Sequence, residues 1–557
     1  LFATLGGAIV VVLAALLSAP LWLNADAVKA RLLAQLQRNV PGELAYRDLE
    51  LELFPRPGVT LAGLRWALPG RGEAQAAHAE VRLAWLPLLA GNVRIGAVRL
   101  RSPRLVLILQ QARPEGERLT AAIIDARLRS ALDRLAELAP DMDLEIADGE
   151  LDLQPAQGPA LVLRHLDAAL ASRPDRIELN VHATSEPVAR LGGKLRLARE
   201  ALEGGIELDL GGVRLAALRD FLPRRPHAHD IDGELDVRLL GTMRGAAQFT
   251  VKLDASAARL RLTAAGEPLS IEGAALKAVA AYARGSLNVT LDSLASTAPS
   301  LDSNGAFSAG DDGYTMRVHA ARLALSEWWP LLERFAPKLA EAVRTHAVLR
   351  QGAIDSLDVS ARADSLDELW RPERLTAAAA FEDVAADLPR FGLAVRELAG
   401  KADYADGELR IEGLQGRVGA SRIRSADGSV QLTGARHLQG RVELTVQLEE
   451  ALRLARGAVR GESARRRLAR VRRLEGRVLA QVELNGTLQA PLAAVVLSQP
   501  DFTVMHEALP SALAVSGGAA RYDGRALSVQ GLAGRLGGSS FSALTGMLEL
   551  LPPYRLR

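Results

Sequence analysis

Nine histidines, no cysteines and a few paired acids are the side chains of this 557-residue chain best suited to chemistry. Their spacing assembles none of the usual machinery. No Gly-x-Ser-x-Gly elbow presents a serine nucleophile, and no His-Glu-x-x-His sets two imidazoles on one helix face for zinc. Gly192-Gly193-Lys194 carries the lysine of a phosphate loop but lacks its first glycine and its Ser/Thr. His227-Ala228-His229-Asp230 could ligate a metal at a turn, although two alternate histidines in a Pro/Arg loop read more simply as solvated. Asp311-Asp312 and Glu449-Glu450 read as turn or surface acids rather than a general acid and base. Without cysteine there is no disulfide, thiolate metal site or cysteine nucleophile. The expectation is a protein that is not an enzyme and needs neither cofactor nor metal.

Charge offers one stronger feature. Between Arg453 and Arg473 lie nine arginines against the single acid Glu462, a net of +8, which leaves the rest of the chain at −6 for a total of +2. Such a run is either a solvated helix or linker, or a contact for anionic lipid headgroups. Near an anionic surface each arginine is worth about 1 kcal/mol. Arg465, Arg466, Arg467 and Arg470 are the candidates for that contact. Nucleic acid is not the expected partner, because neither interleaved aromatics nor a readout motif accompanies the run.

The elements that carry these residues are strands. Leu49, Leu51 and Leu53 alternate with Glu50 and Glu52, Val93 and Ile95 flank Arg94, and Val98 and Leu100 alternate with Arg99 and Arg101. Period two sends successive side chains to opposite faces, so each strand has one dry and one wet side. The pattern returns at Ile177 to Val181, Ile206 to Leu210, Leu235 to Leu239, Leu287 to Leu291 and Val442 to Val446. Hydrophobic residues make up 48% of the chain and aromatics 4%, so burial rests on aliphatic side chains.

Ahead of the strands, Leu1 to Leu23 carries no charge and is long enough to span a bilayer. The rival, a cleaved signal peptide, needs a small-residue site; Leu17-Ser18-Ala19 before Pro20 is a poor one. Lys29, Arg31 and Arg38 follow the span, which the positive-inside rule alone would place in the cytoplasm. Residues 24–43 read as a short helix with the stripe Val28, Leu32, Leu36 and Val40, ended by Pro41-Gly42. Residues 44–110 form the opening β module, and 111–143 hold an amphipathic helix lined by Ile124, Leu128, Leu132, Leu135 and Leu138. Strands dominate 144–325. A tryptophan-rich helix covers 326–347, with Trp328, Trp329, Leu332 and Phe335; it packs on a sheet, plugs a groove end or dips into a membrane. Strands resume over 348–450, the basic segment is 451–475, and 476–557 is β again. Because it begins at Leu1 and stops in mid-pattern at Arg557, the sequence reads as part of a longer chain.

A repeat runs through the later part. Tyr404-Ala405-Asp406-Gly407-Glu408-Leu409-Arg410-Ile411-Glu412-Gly413 returns as Tyr522-Asp523-Gly524-Arg525-Ala526-Leu527-Ser528-Val529-Gln530-Gly531. Leu414 to Gly419 and Leu532 to Gly537 continue alike, and a weaker copy begins at Tyr282 with Gly285, Leu287 and Val289 in register. The glycines read as turns between short strands, so the chain grows by adding hairpins.

The opening resembles a known family. A membrane segment, a short helix, then Tyr46-Arg47-Asp48-Leu49-Glu50-Leu51-Glu52-Leu53-Phe54-Pro55 and the Gly63-Leu64-Arg65-Trp66 strand are similar to the start of the AsmA-like proteins. The Trp-Trp helix and the segment behind it resemble the YhdP branch more than AsmA itself. The resemblance implies an elongated, curved antiparallel β-sheet with an apolar groove, anchored by one span in the bacterial inner membrane, with its bulk in the periplasm. It further implies phospholipid transport towards the outer membrane, with acyl chains, the inner membrane and possible envelope proteins as partners. Leu49, Leu51, Leu53, Val93 and Ile95 are the candidate groove lining. A second reading keeps the same sheet as a dry scaffold for outer-membrane protein assembly, since a filled sandwich alternates just as an open groove does.

Overall fold

The computed structural model describes residues 43–52, 57–68, 72–84, 87, 94–109, 141–155, 160–218, 230–245, 247–264, 267–335, 340–341, 344, 348–389, 393–432, 436–458, 462–487 and 491–549. The proposed anchor at 1–23, the short helix after it, the amphipathic helix within 111–140 and the His227/His229 turn lie outside these residues. Among the described residues no helix is long and apolar enough to cross a membrane.

The chain is mainly β and divides into two compact units between Asp292 and Ser293. In the first unit the strands are β1 (Glu43–Ala45), β2 (Asp48–Glu52), β3 (Gly58–Leu68), β4 (Gly72–Leu83), β5 (Ile95–Arg101), β6 (Arg104–Leu109) and β7 (Met142–Pro155). They continue with β8 (Leu161–Ser172), β9 (Arg176–Ser185), β10 (Val188–Ala198), β11 (Glu203–Arg214), β12 (Asp230–Arg244), β13 (Gln248–Ala264) and β14 (Glu267–Ala283). A four-residue helix, α1 (Leu215–Leu218), precedes β12, and β15 (Ser286–Thr297) spans the division.

The second unit holds β16 (Ser300–Gly310), β17 (Gly313–Ala324), helix α2 (Leu325–Phe335), β18 (Val348–Ala363), β19 (Leu375–Leu388), β20 (Leu393–Ala405), β21 (Glu408–Val418), β22 (Ser421–Gln431) and β23 (His437–Gln447). Helices α3 (Leu448–Ala458) and α4 (Glu462–Ala469) follow, then β24 (Val471–Thr487), β25 (Pro491–His506), β26 (Leu513–Tyr522), β27 (Ala526–Leu536) and β28 (Ser539–Glu549).

Within each unit nearly every strand pairs antiparallel with the next, as hairpin growth requires. One junction departs from the antiparallel expectation. β5 and β6 both run parallel to β7, with Leu100 opposite Ile146 and Leu105 opposite Leu151. A parallel pair needs a connection of a dozen or more residues, and the chain between Leu109 and Met142 is long enough for one.

The strands are also longer than the glycines suggested, reaching 17 residues in β13, β14 and β24. Gly407 (φ +76°) and Gly524 (φ +93°) do sit between strands, whereas Gly413 (φ +62°) and Gly531 (φ +60°) lie inside β21 and β27. There each marks a β-bulge where the register shifts, between Ile411 and Leu414 and between Val529 and Leu532. The inserted residue flips the alternation, so Leu409 and Ile411 before the bulge and Leu414 after it share one face. Positive φ suits glycine there because it has no Cβ. The Gly413 N–H, freed from the ladder, donates to Asp427 Oδ1 on β22 at 2.7 Å. Gly212 in β11 (φ +61°) donates to Asp236 Oδ1 of β12 at 2.8 Å, and Asp148 in β7 (φ +51°) to Asp167 Oδ1 of β8 at 3.0 Å. The Tyr404 and Tyr522 repeats are therefore one structural unit: a hairpin turn, a bulge, and a second turn at Gly419 or Gly537.

Candidate functional site

Register turns the alternation of single strands into an apolar face. In the first unit Leu195 lies opposite Ile206, Leu208 opposite Leu239, and Leu239 opposite Leu253. Leu210 meets Val237, and Gly241 meets Val251. The intervening residues build the other face, where Lys194 lies opposite Glu207 and Arg238 lies between Asp209 and Asp254. Arg238 Nη2 donates to Glu207 Oε1 at 2.9 Å. That pair is exposed, so it favours solvation of this face more than stability.

The apolar face is aligned without being sealed. Leu195, Leu208, Val237, Leu239, Val251 and Leu253 are half-buried rather than buried, and Ile206 is 45% exposed. A hollow of about 350 Å³ lies there, walled by Leu195, Leu197, Ile206, Met243, Phe249 and Val251. Phe249 stacks on Tyr282 with ring centroids 5.1 Å apart, which places two aromatic rings beside the hollow.

The second unit repeats the construction. Leu444 opposes Ala480, Ala480 opposes Leu497, Leu497 opposes Ala520, and Ala520 opposes Val529. Its apolar cavity, about 270 Å³, is lined by Leu474, Val478, Leu497, Phe502 and Val529 together with Leu448 from the first turn of α3. Here a helix helps to close the face: Leu452 of α3 is buried, and so are Val478 and Ala480.

On the charged side of this unit Arg441 Nη2 donates to Glu483 Oε1 at 2.9 Å. A wider hollow of about 640 Å³ is lined largely from that side, by Arg317, His319, Asp358, Ser360 and Thr376 among others. His319 Nδ1 lies 2.8 Å from Asp358 Oδ1, but the Ser360 hydroxyl pairs with Thr376 Oγ1 at 2.6 Å instead of with the imidazole. Among the described residues no three His, Asp or Glu side chains converge as a metal site.

Leu49, Leu51 and Ile95, three of the residues expected to line a groove, come together in the opening module. Leu49 is 7% exposed and belongs to a buried cluster with Val59, Leu61, Ala79, Val81 and Leu83, against which Leu51 and Ile95 pack. Leu53 and Val93 lie outside the described residues. Half-open apolar residues lie in β10 to β13, around Leu208, Leu239 and Leu253, beside the buried Leu197 and Val213; their alternation was plain in the sequence but their exposure was not.

The basic run is two helices and the start of a strand. Arg465, Arg466 and Arg467 are on α4, and Arg470 is in the turn after it. Arg466 pairs with Glu462 one turn back. On α3, Arg453 Nη2 is 3.7 Å from Glu449 Oε1, and Arg456 donates to the Val471 carbonyl. Arg472 and Arg473 already belong to β24, where Arg473 Nε is 2.5 Å from Glu475 Oε1. Sequence reasoning passed over α3 itself. Its signal was present: Leu448, Leu452 and Ala455 at helical spacing, with Glu449 and Glu450 in the first turn where the helix dipole favours acids.

Helix α2 docks on the start of β16. Glu327 Oε2 accepts the Ser300 N–H at 2.6 Å, and Trp328 Nε1 donates to the Ser300 carbonyl at 2.8 Å. The Arg344 guanidinium bonded to Glu333, aided by the Trp329 indole N–H at 2.7 Å, holds the Glu333 carboxyl below its ordinary range.

No curated protein and no solved structure matches the chain. Residues 1–115 match the model of the AsmA family, so over that amino-terminal part the chain is AsmA-like.

Proposed function

We propose that this protein is anchored in the bacterial inner membrane by residues 1–23, with its bulk in the periplasm, and carries phospholipid acyl chains between the inner and outer membranes. One observation carries the reading. An apolar face runs in register across successive strands, yet Leu208, Val237, Leu239, Val251 and Leu253 on it are only half-buried. A sheet with a dry face ordinarily buries it against a second layer. An acyl chain laid on such a face is shielded from water at about 0.8 kcal/mol per buried CH₂. Movement along the face exchanges one aliphatic contact for another, so sliding needs no covalent step. The AsmA match at the amino terminus and the resemblance of the middle region to the YhdP branch support the same reading.

Native mass spectrometry of the detergent-extracted protein tests it. Several phospholipids per chain are expected; a lipid-free chain retaining a bound protein would point to the assembly scaffold instead. The anchor is tested separately by carbonate washing, which should leave the chain in the membrane. A mature chain starting near Pro20 would show a cleaved signal peptide.

A further inference from the structure

The two apolar hollows differ in one respect that bears on function. Among the described residues no helix side chain lines the first unit's hollow, whereas in the second Leu448 at the start of α3 forms part of the wall. Helix α3 lies between β23 and β24 and turns Leu448, Ala451, Leu452 and Ala455 inward, while Glu449, Arg453 and Arg456 stay exposed.

A small number of polar contacts hold it down. Glu450 Oε2 accepts the N–H of Ala420, in the turn between β21 and β22, at 2.6 Å. Gly419 in the same turn has φ +57°, and a Cβ there would fall 1.9 Å from Glu450 Oε1, so the carboxylate occupies the space a side chain would need. At the other end of α3, Arg456 donates to the Val471 carbonyl at the start of β24. These contacts are at the surface, where water competes for them, while the side chains beneath, Leu448, Leu452, Val478 and Phe502 among them, are apolar.

We infer that the half-open apolar hollow beside the first turn of α3 is a site for a single alkyl chain, and that α3 controls access to it as a partial lid, latched by Glu450 to the Gly419–Ala420 turn. The described lining, including Leu474, Val478, Leu497, Phe502 and Val529, offers no polar side chain, so a headgroup would go unsatisfied against it. An apolar wall favours an apolar guest, whose contact with it removes both surfaces from water. At about 270 Å³ the space is roughly nine times the ~30 Å³ share of a liquid water, room for a short run of methylenes rather than a whole lipid. The latch carboxylate and the turn are solvent-accessible, so the lid can open without breaking the sheet ladder. This site rests on the reading of the apolar faces as acyl-chain surfaces; it adds that access to the second unit's face is controlled by a helix.

Photo-labelling of the full chain in detergent with a diazirine-bearing palmitic acid tests both statements at once. Label is read by mass spectrometry on β24 to β27 peptides and, as an internal reference, on peptides carrying Ile206 and Met243. Glu450→Gln should raise labelling of the second-unit peptides about three- to tenfold, the effect of weakening one charge-assisted hydrogen bond, with the first-unit signal unchanged. Gly419→Ala, which displaces the carboxylate, should act in the same direction. Because the chain has no cysteine, Ala420→Cys with Glu450→Cys can be bridged by a short bismaleimide, and closing the bridge should suppress second-unit labelling alone. If first-unit peptides label while second-unit labelling ignores both Glu450→Gln and the bridge, α3 is a fixed wall and the lid is overturned. If neither set labels, the acyl-chain path itself is overturned. A circular-dichroism melt of each variant confirms that the sheet is intact, and Glu450→Gln alone decides the matter should the bridged variant misfold.

Discussion

The opening module and the β10–β13 region of the same unit are written in one alphabet and come out differently. Leu49, Leu51, Val59, Leu61, Ala79 and Val81 alternate with charged or small neighbours just as Leu208, Leu210, Val237, Leu239, Val251 and Leu253 do. In the module, Leu49, Val59, Leu61, Ala79 and Val81 fall to 7% exposure or less. In β10–β13 the aligned residues stay half-buried, and Ile206 remains 45% exposed. Alternation therefore says which face is dry and nothing about whether that face is sealed. A sealed face is ordinary core; an open one has solvation energy in hand for a guest. The second unit stands between them, with the same aligned face partly covered by one short helix.

The largest expected effect separates sealed from open. Leu49→Asp should bury an unpaired charge and cost on the order of 3–5 kcal/mol, seen as a large drop in the unfolding midpoint of the first unit. Leu51→Asp and Ile95→Asp, at the rim of the same cluster, should follow it in weaker form. Leu239→Asp, where water reaches the side chain, should cost under about 1 kcal/mol while reducing co-purified phospholipid. Equal damage from Leu49→Asp and Leu239→Asp would erase the distinction and return both stretches to packed core.

Next in size is the effect of the basic helix of the second unit. Replacing Arg465, Arg466 and Arg467 with Gln should weaken binding of the full chain to anionic vesicles by about 2 kcal/mol and flatten its salt dependence. Unchanged affinity in a vesicle sedimentation assay would make the run solvated surface.

The bulges can be tested at Gly413. Gly413→Val forces a β-branched side chain into φ +62° and should cost about 1–2 kcal/mol in the second unit's thermal melt. Asp427→Ala, which strands the Gly413 N–H, should cost about 1 kcal/mol, and the pair should be less than additive. Full additivity would mean that the carboxylate does not serve the bulge.

The smallest effect concerns α2. Its folded-state Glu333 pKa is depressed by Arg344, so the stabilisation is present above the ordinary carboxyl pKa of about 4.5 and fades as the pH falls through the lower folded value. Trp329 fluorescence should report a shallow acid transition below that range, absent in Arg344→Gln. Because the carboxylate is solvent-exposed, the change in overall stability should be slight.

Much of this was legible in the chain. Period-two alternation identified the strands and their dry sides, because a pleated strand can only send neighbours to opposite faces. The Tyr404 and Tyr522 repeats marked a recurring hairpin, although Gly413 and Gly531 looked like turns. A bulge and a turn both demand positive φ, and only the pairing partner tells them apart. The missing cysteines, the +8 run and the uncharged first 23 residues were likewise matters of composition.

What the chain alone could not decide was set by contacts distant in sequence. The parallel pairing of β5 and β6 with β7 depends on where a crossover lands. The seal over Leu49 and the opening at Leu239 depend on what, if anything, lies above the face. The placement of Leu448 over Val478, and of Glu450 on the Ala420 N–H, depends on a helix folding back on strands it merely connects. Burial is a property of neighbours in space, and alternation records only the direction in which each residue waits for them.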